Sequence, residues 1–251
     1  MKEKLFKTGF SLIELASVLT AIAFIVGIII SASAIIQTAQ IRSIISEVNS
    51  YKSAVKIFEQ RYGGLPGDIK ASTIWSSANN GNEDSTIGTG VANTADIQAE
   101  PTYAWQHLKL ANLVNYPQIS SSIPFPQSKI DGAYYILYDQ NTSSPLYNRI
   151  GTYLGLSGIS SSLPWASAIN RLLATAIDVK VDDGLPSSGM VYVARGSDMD
   201  TTCASPSTSC KCVSNYWSGA TWNSFTSSSY MFNDTSNNKT CRIIFWLKEM
   251  N

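Results

Sequence analysis

GFSLIELASVLTAIAFIVGIIISASAIIQTAQIRSIISEVNSYKSAVKIFEQRYGG, residues Gly9–Gly64, decides the fold. From Leu15 to Ile41 it holds no charged residue over 27 positions, where about 20 suffice for a helix to cross a bilayer. The pattern then changes. Ile41, Ile44, Ile45, Val48, Tyr51, Val55, Phe58 and Tyr62 recur at steps of three and four, and Arg42, Glu47, Lys52, Lys56, Glu59 and Arg61 occupy other positions. No proline occurs before Pro66, and Gly27 is the only glycine between Phe10 and Tyr62. The stretch predicts one long helix over residues 10–62, membrane-spanning to about residue 36 and amphipathic beyond. Gly63-Gly64 and Pro66 end it. Its apolar stripe needs a domain to lie against.

One acid interrupts the apolar start. Lys2, Lys4 and Lys7 precede the run, which by the positive-inside tendency keeps the N-terminus cytoplasmic and sends the remainder across. A secretory signal with a site at Ala32-Ser33-Ala34 and a plain membrane anchor both fit this layout, and both leave Glu14 unexplained. A carboxylate at the membrane edge costs ~1–3 kcal/mol unless it finds a partner.

Gly9-Phe10-Ser11-Leu12-Ile13-Glu14-Leu15, behind the basic leader of residues 1–9, resembles the processing site of type IV prepilins and type II secretion pseudopilins. The resemblance covers residues 1–62. It implies cleavage after Gly9 by a prepilin peptidase/N-methyltransferase and methylation of the new N-terminal Phe10. It also implies that Glu14 meets the N-terminal amine of a neighbouring subunit. Two opposite charges within a membrane relieve each other's desolvation when they meet, so such an acid sets the register between subunits. Ser31-Ala32-Ser33 lacks the proline kink of many major pilins, which leans towards a pseudopilin or minor pilin. Tyr62-Gly63-Gly64-Leu65-Pro66-Gly67-Asp68 looks like a turn found in a subset of prepilin-like proteins.

The function implied is that of a structural, non-enzymatic filament subunit without cofactors, in a pilus or a secretion pseudopilus. Its partners would be the peptidase, other pilin or pseudopilin subunits and the bacterial inner membrane. It would be single-pass with a cytoplasmic N-terminus, its globular domain periplasmic or in an extracellular filament. The alternative is a minor or tip pilin with an adhesive or DNA-binding domain. Nucleic acid is not expected, because Lys+Arg and Asp+Glu are 18 each and no basic stripe stands out.

Residues 63–251 read as an exported α+β domain: an antiparallel sheet packed on the amphipathic half of the long helix, with further helices. Strands are expected at 133–138 (AYYILY), 190–194 (MVYVA) and 243–247 (IIFWL). A short helix is expected over 101–114 with Trp105 and Leu108 inward, a second from Pro164 to about Lys180, and an exposed loop over 76–100. Cys203, Cys210, Cys212 and Cys241 lack the paired spacing of a zinc site and are read as disulfide cysteines. Two pairings stay open: 203–210 with 212–241, or 203–212 with 210–241.

Catalytic and metal patterns are weak. Asn80, Asn82, Asp84 and Thr86 place oxygens at alternate positions as a calcium loop begins, but Ser85 and Val91 stand where such a loop needs Gly and Glu. Asp178, Asp182 and Asp183 read as a helix end entering a turn. No metal site is expected. The single histidine, His107, reads as structural, and no nucleophile or phosphate-binding motif accompanies it. The aromatics Tyr216, Trp217, Trp222, Phe225 and Tyr230 read as core rather than as a ligand surface.

Overall fold

Helix α1 runs from Leu12 to Tyr62 in the computed structural model. The structure describes residues 11–88, 94–116, 124–140, 149–160, 163–196, 212–213, 230 and 238–249. The chain divides into two compact units, Met1–Gln40 and Ile41–Asn251. In the first, the apolar side chains of α1 face outward: Leu12, Leu15, Val18, Leu19, Ile22 and Phe24 are all exposed. The segment Leu12–Ile29 has a mean hydropathy of 2.5 with none of it buried, long and apolar enough to cross a membrane.

In the second unit the expected stripe is the buried face. Ile41, Ile44, Val48, Val55 and Phe58 are buried, and Ile45, Tyr51 and Tyr62 pack against the same core. The helix stops where glycine adopts a left-handed backbone: Gly63 has φ +75° and its N–H donates to the Glu59 carbonyl at 2.9 Å.

The domain is α+β. It contains α2 (Thr94–Leu110), β1 (Tyr134–Gln140), β2 (Gly151–Ser160), β3 (Leu163–Ala166), α3 (Arg171–Val181), β4 (Val191–Arg195) and β5 (Cys241–Lys248). The strands lie in the order β1-β2-β5-β4, with β3 on β2 off that path, and every pairing is antiparallel. Tyr51 on α1 lies edge-on to Trp105 on α2 at 4.9 Å and to Tyr135 on β1 at 5.0 Å. Such aromatic contacts add to area burial at the junction of the three elements. Glu47, on the same helix, accepts hydrogen bonds from the hydroxyls of Ser128 (2.8 Å) and Tyr135 (2.7 Å).

The three expected strands are present as β1, β4 and β5, and Trp105 and Leu108 are buried as expected. Four local readings change. β2 has three glycines and no clean alternation, so periodicity hides it. Gly158 is needed because a Cβ there would stand 2.5 Å from the Ser167 carbonyl oxygen. Pro164 lies in β3 rather than opening a helix. The N–H groups of Ala168 and Ile169 are tied to the Cys241 carbonyl, so α3 starts only after Asn170, whose side chain accepts from Leu173 N–H at 2.8 Å. Helix α2 begins at Thr94, well before Pro101, and ends at Leu110. The loop expected over 76–100 is thus helical from Thr94, and its residues Thr86, Ile87 and Gly88 are buried. Ile87 N–H donates to the Asp139 carboxylate (2.8 Å) while Asp139 N–H donates to the Ile87 carbonyl (3.0 Å), fixing the segment to β1.

Candidate functional site

Glu14 sits in the first turn of α1, inside the apolar segment. Its carboxylate accepts from Ser11 N–H at 2.8 Å, so it satisfies one of the open donors at the helix start and lies where the helix dipole favours an anion. Gly9 and Phe10, expected to flank a cleavage site, lie outside the described residues, as do Cys203, Cys210, Tyr216, Trp217, Trp222 and Phe225.

Cys212 and Cys241 form a disulfide with Cα atoms 5.4 Å apart, tying the start of β5 to a segment 29 residues earlier. This bond belongs to the first of the two pairings. Tyr230 is buried, and its hydroxyl donates to Asp178 Oδ2 at 2.6 Å, so this aromatic is core.

A polar centre forms where α1 ends. The turn Leu65–Asp68 is held between α1, helix α2 and the segment 79–88. His107, fully buried, accepts from Gly67 N–H at Nδ1 (2.9 Å), and its Nε2 faces the Asn79 carbonyl at 2.7 Å. An N–H can only donate and a carbonyl can only accept, so the ring is neutral with its proton on Nε2. Burial lowers its pKa below the ordinary 6.5. The ring also stacks on Phe58 at 6.2 Å. His107 is therefore a fastener between turn, loop and α1, as expected of a structural histidine.

Beside it, Asp68, Asp84 and Glu100 converge, with ligand-capable oxygens all within 4.8 Å of one another. Asp68 Oδ2 accepts from Ser85 N–H (3.1 Å), Glu100 accepts from Asn82 N–H (3.2 Å) and Gly88 N–H (2.7 Å), and Asp84 accepts from Thr86 N–H (2.9 Å). Gly81 lets the loop close on the turn: a Cβ there would stand 2.1 Å from the Asp68 carbonyl oxygen. Burial first, and neighbouring carboxylates after it, raise the pKa values of Asp68 and Glu100. Of this group, sequence reading singled out only Asp84. In the sequence Asp68 reads as part of a turn and Glu100 as part of a loop.

A second acidic group, Asp178, Asp182 and Asp183, closes the C-terminal end of α3. Burial pushes Asp178 up to about 6. Asp182 accepts from Met190 N–H and Val191 N–H, and Asp183 from Leu185 N–H and the Ser188 hydroxyl. These bonds shape the turn into β4, as expected from the sequence. No family model, curated protein or solved structure matches the chain.

Proposed function

We propose that the chain is a structural subunit of a type IV pilus-like or type II secretion pseudopilus filament. On this reading it is cut after Gly9, methylated on Phe10, held in the bacterial inner membrane and assembled through the first half of α1. The observation that carries the reading is Glu14. It is an acid in the first turn of a helix whose apolar residues Leu12–Ile29 bury nothing against their own chain. A bilayer accounts for the apolar surface, and a neighbour's terminal amine accounts for the acid. Subunits joined this way meet head-to-tail, and a contact that does not close produces a fibre.

Mass spectrometry of the mature N-terminus tests the processing step, with N-methyl-Phe10 as the expected result. A start at Ile35 would replace this reading with that of a cleaved secretory signal. Glu14→Ala should leave cleavage intact and weaken each subunit contact by ~3–5 kcal/mol, the cost of leaving one member of a buried ion pair alone. Filament yield by shearing and immunoblot reads it, and undiminished yield would remove Glu14 from assembly.

A further inference from the structure

The corner where α3 ends holds a buried acid that a filament role does not use. Asp178 is fully buried, and its Oδ2 accepts the Tyr230 hydroxyl at 2.6 Å. Burial and the adjacent acid push the Tyr230 phenol up, so the tyrosine remains the donor. The other oxygen, Oδ1, is buried and accepts no hydrogen bond of ordinary geometry. Asp182 and Asp183 stand beside it, with one oxygen from each of the three acids within 4.8 Å of the others. Those two are occupied: Asp182 by Met190 N–H and Val191 N–H, Asp183 by Leu185 N–H and the Ser188 hydroxyl. Among the described residues, none of Arg171 and Lys180 of α3, Arg195 of β4 and Arg242 of β5 forms an ion pair with the three acids. The Gly184 N–H faces Asp178, and Tyr192 of β4 turns its hydroxyl to the Gly189 carbonyl at 3.2 Å. A buried carboxylate with like charges beside it and no cation is costly, and taking up a proton relieves it.

We propose that Asp178 is a proton-binding site whose occupancy tightens this corner of the domain in mild acid. The proton goes to Asp178 because it is the most buried of the three acids and has an oxygen without a donor, whereas backbone N–H groups hold Asp182 and Asp183 as anions. Burial, then the charges of Asp183 and Asp182, outweigh the Tyr230 hydroxyl and the Gly184 N–H and raise the acid to about 6. Aspartates of the unfolded chain titrate near about 3.9. Between these values the folded chain holds a proton that the unfolded chain has released, so stability rises as pH falls through about 6. The gain is lost as pH climbs above that value. His107 acts with the opposite sign, since burial lowers its pKa. The position of the corner gives the proton its reach. Tyr230 pairs with Val213, next to Cys212, and Cys212 is joined to Cys241 at the start of β5. A proton on Asp178 therefore secures the contact between α3 and the segment that the disulfide fastens to the central strand. This inference does not depend on the filament reading.

Denaturant unfolding of the full chain in detergent, with a chelator present so that no metal ion competes, tests it. The comparison is with Asp178→Asn, which carries a neutral side chain of the same size at every pH. The folding equilibrium constant of the parent, relative to that of the variant, should rise about tenfold from pH 7.5 to pH 5. Titrations common to both proteins, that of His107 included, cancel in this ratio. NMR of the chain labelled at its aspartate carboxyl carbons should show a resonance, missing from Asp178→Asn, that titrates at about 6. Tyr230→Phe removes a donor to the charged form and should move that midpoint up. Asp183→Asn removes a like charge and should move it down. Three results would each overturn the proposal. They are a ratio that rises less than about threefold, an Asp178 resonance titrating near the ordinary value of about 3.9, or a midpoint that neither Tyr230→Phe nor Asp183→Asn moves. Asp183 is exposed, so the midpoint near 6 and its fall in Asp183→Asn carry the test if Asp178→Asn fails to fold.

Discussion

The two halves of α1 use the same kind of residue for opposite purposes. Among the described residues up to Gln40, the aliphatic side chains surround the helix and are exposed. From Ile41 onwards all of them but the exposed Ile57 keep to one face, and that face is largely buried in the core. Helix propensity does not distinguish the halves. The arrangement of polar residues does: a helix apolar all round requires an apolar medium, and a striped one requires a domain. Only the second half should therefore contribute to the stability of the domain.

Substitutions on the two halves sharpen that contrast. Phe58→Ala should lower domain stability by ~3–5 kcal/mol, since it empties a fully buried site against His107, Tyr62 and Trp75. Leu19→Ala, equally apolar but exposed, should leave urea unfolding of the domain unchanged within about 0.5 kcal/mol. A large effect from Leu19→Ala would mean that the halves are not energetically separate. Glu47→Ala comes next, at ~1–3 kcal/mol, because it strands the buried hydroxyl of Tyr135. By contrast, Glu14→Ala should leave the domain midpoint where it was.

Acid should act on the second half alone. His107, packed on Phe58, has a folded pKa below that of the unfolded chain. Its contribution is fully present above about pH 6.5 and is lost as pH falls below 6.5 towards the depressed folded value, because the unfolded chain takes up a proton first. The stability advantage of the parent over His107→Gln should therefore shrink between pH 7.5 and pH 5, measured by denaturant midpoints. Smallest is the ion pair between Glu59 and Lys248 at the end of the helix. Glu59→Gln should cost ~0.5–1 kcal/mol, less in high salt.

The helix, its stripe, the fold class and three strands were legible because each is written in local periodicity. What was not legible depends on distant partners. β2 is recognisable only beside β1 and β5, since Gly151, Gly155 and Gly158 weaken any strand pattern. Pro164 is a fair helix start until the next residues are seen bonded to Cys241, far along the chain. Glu47 falls among the polar positions, yet it reaches hydroxyls 81 and 88 residues away. The Asp68, Asp84 and Glu100 group is spread over 33 positions, so no spacing rule could assemble it.

The strand order has a consequence for how the domain forms. β5 lies between β2 and β4 and follows both in the chain. During synthesis, then, β1 and β2 can join as a hairpin while β4 waits for its ladder partner β5. Until Cys241–Lys248 emerges, the hairpin and β4 share no ladder, and the cysteine that closes onto Cys212 is absent. The sheet thus assembles by a late insertion between distant segments, which is slow and leaves open edges in the interim. A nascent domain of this kind depends on being shielded until its central strand arrives.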